Sequence, residues 1–315
     1  MKKNILYLII ATIAASLVFV TCQEKPEEED DTNNDPKIQI TTSASANFGF
    51  KLEVAGTDMV TIKWGDGTAK EIHALSNIPS SYYHSYKKSG IYTITITGDI
   101  ITLNCSASNA ISLDVSQHPD LIRLECSNNR LTNLNISNNI ALIYLDCSGN
   151  NLTNLDISNN LALASLFCGG NRLTNLEVSE HRALMRLDCS GNRLTNLDVS
   201  QNYRLADLNC RNNNLTNLDV SWNFMLENLD CSLNAVSSDD RLSSLDVSNN
   251  SMLKILKCRL NGFSDVALNA LFETLHNRAN TKENFVDIVG NPGTNLCDPS
   301  IARSKGWTVI LQQEN

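Results

Sequence analysis

Eight cysteines recur at a nearly fixed interval. Cys105, Cys126, Cys147, Cys168, Cys189, Cys210 and Cys231 stand twenty-one residues apart, Cys258 follows after twenty-seven, and each closes a Leu-x-Cys triplet. A fixed period of this length specifies a solenoid, because one short unit cannot bury its apolar edge alone and does so only against copies of itself. The repeat constrains how the chain is built far more tightly than what it holds.

The unit from Leu131 to Leu152 shows the template: Leu131, Leu134, Ile136, Asn139, Leu142, Leu145, Cys147, Asn150 and Leu152 fall at positions that recur through Cys231. Each coil thus carries two short segments, Leu-x-Cys and Leu-x-[Val/Ile]. Alternation of apolar and polar residues marks a strand with one buried face. Leucine and cysteine point inward, and Glu125, Asp146, Phe167, Asp188, Asn209, Asp230 and Lys257 point out. Stacking in register predicts two parallel ladders, and at about 4.7–4.9 Å per coil eight coils span roughly 35–40 Å. The expected fold is mostly β, a solenoid long enough to suit a large partner better than a metabolite.

Asparagine stands three residues after the cysteines (Asn129, Asn150, Asn171, Asn192, Asn213, Asn234, Asn261). There the chain leaves its strand and turns, and a side-chain amide can satisfy backbone groups that lose their ladder partners. A second column (Asn139, Asn160, Asn202, Asn223, Asn250, with His181 in one slot) serves the other turn. With cysteine ladder, period and both asparagine columns in hand, residues 100–263 resemble the bacterial leucine-rich repeats of the internalin J type. That resemblance implies a curved solenoid used for adhesion or protein binding. Two departures stand out: Asn109 sits one place late in the first coil, and Ser237 to Leu242 are inserted after Val236, reading as a protruding loop.

Neighbouring ladder cysteines lie within the Cα separation a disulfide tolerates, but side chains in register on parallel strands run side by side. Their Cβ atoms stay near the strand spacing, whereas a bridge needs about 3.8 Å. Buried free thiols are therefore preferred over disulfides, and also over metal, since zinc needs convergent Cys or His ligands. No metal and no cofactor is expected.

Lys2 and Lys3 precede an apolar run from Ile5 to Val20, followed at once by Cys22. This reads as a signal peptide over 1–21. Phe19-Val20-Thr21-Cys22 resembles a relaxed bacterial lipobox, which implies lipidation at Cys22 and a membrane anchor. Residues 22–36 form an acidic, apolar-poor linker expected to be a disordered tether. An acidic run behind the lipidated cysteine also resembles the surface-export signal of Bacteroidota lipoproteins. An outer-membrane lipoprotein at the cell surface is therefore expected, with the periplasmic face as the alternative. The net charge is −9 at pH 7, and removing Lys2 and Lys3 with the leader carries it to about −11. Nucleic acid is a poor partner for such a chain, since its binding needs basic patches.

Residues 37–99 change pattern to short alternating strands with Gly and Asp turns, which suggests a small β-sandwich. Trp64-Gly65-Asp66-Gly67-Thr68, then His84-Ser85-Tyr86 and Gly90-Ile91-Tyr92, resemble a PKD (polycystic kidney disease) domain. The resemblance implies a spacer that holds the solenoid away from the membrane, and Asp66-Gly67 reads as a tight turn, not as catalytic machinery. Residues 264–315 are expected to cap the last coil: Ser264 N-caps a helix with Leu268, Leu271, Phe272 and Leu275 on one face, a strand follows over 285–289, and Asp298-Pro299 opens a second short helix. Trp307 should cover the final coil.

The outward residues of the Leu-x-Cys ladder vary while the inward ones do not, so this sheet is the natural recognition surface. On it Tyr144 and Phe167 occupy adjacent coils, flanked by Arg123, Glu125, Asp146, Arg186 and Asp188. Aromatic residues beside arginine are enriched at interaction hot spots, an aromatic pair can also stack on sugar rings, and scattered exposed aromatics are common. A second cluster, Tyr203, Trp222 and Phe224, reads better as packing under a loop. The column Asp114, Asn135, Asp156, Glu177, Asp198, Asp219 and Asp246 offers a calcium ion fewer oxygens around one point than it requires. His73, His84, His118, His181 and His276 fall in different contexts, none in a nucleophile or metal motif, so no enzyme is expected. The function expected is a monomeric surface lipoprotein binding an extracellular protein through the solenoid face. Glycan capture beside a polysaccharide-uptake machine, or structural service in the periplasmic envelope, remain as alternatives.

Overall fold

The computed structural model describes residues 35–234, 241–278 and 284–312. The leader, Cys22, nearly all of the acidic linker and residues 237–240 of the insertion lie outside them. The described residues form one compact unit built on a single fifteen-stranded sheet. Six longer strands come first: β1 Lys37–Ala44, β2 Phe48–Lys63, β3 Glu71–Ala74, β4 Ser80–Tyr86, β5 Gly90–Asn104 and β6 Ala110–Asp114. Seven three-residue strands follow, one per coil: β7 Arg123–Glu125, β8 Tyr144–Asp146, β9 Ser165–Phe167, β10 Arg186–Asp188, β11 Asp207–Asn209, β12 Asn228–Asp230 and β13 Ile255–Lys257. The chain then forms α1 Asp265–Thr274, β14 Phe285–Asp287, α2 Ser300–Ser304 and β15 Thr308–Ile310.

The register follows from the repeat. Each Leu of a Leu-x-Cys triplet pairs with its equivalent one coil on, from Leu103 beside Leu124 to Leu229 beside Leu256. All eight ladder cysteines are fully buried and free. Every ladder strand ends on the residue before its cysteine, and the residue two places after the cysteine adopts a left-handed backbone. Ala107, Asn128, Gly149, Gly170, Gly191, Asn212, Leu233 and Leu260 have φ between 53° and 64°, a region where side chains other than Gly and Asn are strained.

The second half of each coil also stacks in register, but through turns. Asn151 N–H donates to the Leu131 carbonyl and Arg172 N–H to that of Leu152, while Asn160 N–H closes a turn on the Ile157 carbonyl. A local hydrogen bond recurs here, the same one that Asp146 and Asp188 make beside the paired strands. Asp156, Asp198, Asp219 and Asp246 each accept with Oδ1 from the amide of the serine two residues on, which caps the backbone within its own coil.

The two asparagine columns close the account of the turns. Asn129 accepts with Oδ1 from the Ser108 and Ala110 amides and donates with Nδ2 to the Cys105 and Cys126 carbonyls. Asn150, Asn171, Asn192, Asn213, Asn234 and Asn261 likewise donate to two cysteine carbonyls one coil apart. In the second column Asn139, Asn160, Asn202, Asn223 and Asn250 bridge carbonyls of the preceding coil. His181 fills its slot by bonding the Ile157 carbonyl.

At the N-terminal end the pairing of β2 with β5 shifts register at Ala55/Gly56 and again between Thr57 and Thr61. The first half of β2 pairs with β4 and with the end of β5, and its second half pairs with β3 and the start of β5. The close backbone approach there needs glycine, since a Cβ on Gly56 would stand 2.0 Å from the Asp99 carbonyl oxygen and one on Gly98 2.6 Å from that of Met59. β5 runs across the boundary drawn at 99/100, and Thr102–Asn104 form the first rung of the parallel ladder. β1 lies antiparallel against both β5 and β6. One apolar core therefore runs without interruption from Ile38 to Val309.

At the other end β14 and β15 add two more parallel rungs after β13. Ser264 Oγ accepts from the Ala267 amide at the start of α1, whose Leu268, Leu271 and Phe272 are buried. Pro299 stands at the cap of α2. Trp307 is buried, and its indole N–H donates to the His276 carbonyl at 2.8 Å.

Candidate binding face

The parallel ladder exposes two columns of side chains, one on each side of the inward leucine. The first runs Arg123, Tyr144, Ser165, Arg186, Asp207, Asn228 and Ile255; the second runs Glu125, Asp146, Phe167, Asp188, Asn209, Asp230 and Lys257. Because in-register parallel strands keep equivalent side chains adjacent, neighbours within a column touch. The residues singled out from the sequence, Arg123, Glu125, Tyr144, Asp146, Phe167, Arg186 and Asp188, therefore meet on the four consecutive strands β7 to β10.

Their contacts are specific. The Arg123 guanidinium carbon sits 3.5 Å from the centroid of the Tyr144 ring, and its Nε donates to Glu125 at 2.7 Å. That is a cation held over an aromatic face. Tyr144 and Phe167 lie on neighbouring coils with ring centroids 5.4 Å apart and planes inclined by 40°. Burial raises the Tyr144 phenol above its ordinary range, with Asp146 adding to the effect and Arg123 opposing it, so the ring presents a neutral hydroxyl. Asp146 and Asp188 each use one oxygen to hold the serine two residues on. The other oxygen of Asp188 accepts from Asn209 Nδ2 at 2.9 Å.

Beyond Phe167 the face opens into a hollow of about 550 Å³. Phe167, Arg186 and Asp188 form one side, and Asp207, Asn209, Asn228, Asp230, Ile255 and Lys257 the rest. Arg186 reaches toward Asp207, Nε to Oδ2 3.5 Å. The later residues occupy the same two columns, so the periodicity that placed Tyr144 and Phe167 also placed them. Aromatic identity drew the sequence reading to the first four strands only. A partner on this face would meet aromatic planes at one end and alternating carboxylate, amide and cationic groups at the other.

Other candidates fall away from this face. Tyr203, Trp222 and Phe224 do not pack beneath a loop. They stand exposed on one edge of the solenoid, with the Trp222 and Phe224 rings edge-on at 6.2 Å. No described segment crosses over that edge, so bulk there meets solvent. In the column from Asp114 to Asp246 every member but Glu177 accepts from a serine amide, and Glu177 accepts from Asn175 Nδ2. Among the described residues no three His, Cys, Asp or Glu side chains group closely enough to hold a metal ion. His84 Nε2 and Asp66 Oδ2 lie 2.7 Å apart beneath the Trp64 ring, with His84 stacked on the indole. The Tyr86 hydroxyl donates to the Trp64 carbonyl, so this cluster ties a turn together. Burial pushes the ladder thiols up, Cys105 and Cys147 to about 12, which keeps them in the unreactive thiol form. Cys297, outside the ladder, is partly exposed.

No protein-family model and no curated protein matches the sequence. Among solved structures, the functional domain of InlJ from Listeria monocytogenes, described as including a cysteine ladder, is similar at 30% identity and a TM-score of 0.55, over 69% of this chain and 50% of that one. The leucine-rich repeat domain of APL1B is similar at 22% identity and a TM-score of 0.47, over 61% of this chain and 57% of that one. The chain thus spans about half the length of the InlJ structure that it matches. Period, buried cysteine column and this likeness agree: the described residues are a mostly β leucine-rich-repeat solenoid of internalin-like build.

Proposed function

We propose that this chain is a surface lipoprotein, anchored through Cys22, whose solenoid binds an extracellular protein on the outward face of its parallel ladder. The observation that carries the reading is the Arg123, Tyr144 and Phe167 cluster, where a cation over an aromatic ring adjoins a second ring and a polar hollow. Such sites hold a partner through a few large side chains ringed by polar groups. In this reading the strands from β1 to β5, PKD-like in sequence, close the solenoid's first edge, and α1, α2, β14 and β15 close its last.

A second reading, glycan capture, is favoured by the hollow itself, because aromatic planes beside Asp188, Asn209 and Asp230 suit the apolar faces and hydroxyls of a sugar. One comparison separates them: binding of the chain to purified extracellular proteins and to a glycan array, beside the Tyr144→Ala/Phe167→Ala double variant. A protein ligand whose affinity falls by about thirtyfold or more in the variant is the expected result, the loss that truncating an interface anchor brings. Protein binding unchanged in the variant would move the site off this face. Glycan binding lost in the variant would replace the protein reading by the sugar reading. Protease shaving of intact cells that leaves the solenoid untouched would place it on the periplasmic side.

A further inference from the structure

One edge of the solenoid is apolar and the opposite edge is not. Where each coil turns from its second half into the next strand, the residue after the buried Asn or His is Ile140, Leu161, Tyr203 or Phe224 in four of the coils. Two places before the buried ladder leucine stand Ile143 and Met185, on the same edge, and Trp222 projects beside Phe224 with 53% of its surface exposed. Ile140 is 60% exposed and Leu161 52%. The opposite edge, where each coil turns after its cysteine, carries Ser, Gly, Asn and Arg, with Leu233 and Leu260 its large apolar side chains. At a strand spacing of about 4.8 Å the strip from Ile140 to Phe224, four coils on and broken at Arg182, runs for roughly 20 Å. An exposed set of large apolar side chains of this kind marks an interaction surface.

Two observations say what covers it. The first is where the tether ends. Pro36 lines one hollow with Gln117, Pro119 and Asp120, the first coil's copy of this same edge, and the Lys37 amide donates to Gln117 Oε1 at 2.9 Å. Pro36 follows Cys22 by fourteen residues, which can span at most about 50 Å. In the anchor reading, the described residues thus begin beside this edge, within tether reach of Cys22. The second is charge. The chain as a whole is −9, yet the turns of this edge carry Arg182, Arg204 and Lys254 against Asp120, Glu180 and Glu227. The edge alone is neutral, rimmed by polar groups, and presents Trp and Tyr, the side chains enriched where lipid meets water.

We propose that this edge lies on a zwitterionic lipid surface, so that the solenoid rests lengthwise along the membrane to which Cys22 tethers it. The apolar side chains enter the boundary between headgroups and acyl chains as the apolar face of a monotopic helix does. The adjoining sheet face, with Tyr144 and Phe167, is then left upright and open to a partner. The proposal rests on the anchor reading for its biological setting, and on the edge alone for its physics.

Iodide quenching of tryptophan fluorescence tests it directly, because Trp64 and Trp307 are 1% and 3% exposed and Trp222 is the one that iodide reaches. The chain beginning at Gln23, which contains the whole compact unit, is titrated with phosphatidylcholine vesicles. The expected result is loss of quenching as lipid is added, with a Leu161→Ser/Phe224→Ser variant requiring about tenfold more lipid or worse at an unchanged melting temperature. Quenching unchanged at the highest lipid concentration overturns the proposal. So does a light-scattering mass twice that of one chain with Trp222 already shielded before lipid is added, which assigns the edge to a second copy. The anchor is tested separately by the intact mass of the chain extracted from membranes: a missing acyl group at Cys22 removes the anchor reading and leaves the vesicle result to decide the edge.

Discussion

The buried Asn after each cysteine holds the solenoid together at the scale of single residues. Asn171 accepts from the Leu152 amide and donates to the Cys147 and Cys168 carbonyls, all buried. Asn171→Ala leaves those groups unpaired, and urea unfolding should show a loss on the order of 3 kcal/mol. The left-handed column makes the opposite prediction. Leu233 holds φ at 59° where Gly170 and Gly191 hold 64° and 63°, so Leu233→Gly should raise stability by about 1 kcal/mol in the same assay. This column is barely visible in the sequence, since glycine fills three of its eight slots and Asn, Leu and Ala the others. Asp66 gives a pH signature. Burial alone would raise its carboxyl, but the Thr68 hydroxyl, His84 and the Thr68 amide overrule burial and hold it at about 2. A carboxyl held below its unfolded value of about 3.9 stabilises the fold above that pH and stops doing so as pH falls through the folded value. Asp66→Asn should therefore cost about 2 kcal/mol near neutrality, and thermal melts should show the gap closing between about pH 4 and pH 2.

At the scale of elements, what repeats was legible and what varies was not. The Leu-x-Cys strands, the N-cap at Ser264 and the buried face of α1 each follow from a steric or hydrogen-bonding demand that recurs or has a local signature. The second half of the coil carries the same alternation but forms turns, and its Asp-to-serine caps do not make the difference, since Asp146 and Asp188 cap serines beside strands that pair. The binding face was half legible. Tyr144 and Phe167 drew notice as aromatics, while Asp207, Asn228 and Asp230 look like ordinary solvated positions until the hollow gathers them. Tyr203, Trp222 and Phe224 were expected to be covered, since nothing in a coil's own sequence tells whether another segment passes over its turn.

At the largest scale the described residues form one continuous stack, from the N-terminal strands through the coils to β15, with a single core. That continuity makes its stability cooperative between neighbours, and the ends are closed by strands and helices that no repeat period announces. It also makes the cysteine column the most direct witness of the architecture, because each thiol is sealed by the coils above and below it. The decisive measurement is alkylation by iodoacetamide at pH 8, read by intact mass. With all eight ladder thiols buried and raised far above that pH, the chain beginning at Gln23 should take up at most one label, at the partly exposed Cys297, until denaturant is added and all nine cysteines react. Rapid labelling of several ladder cysteines without denaturant would contradict the stacked solenoid.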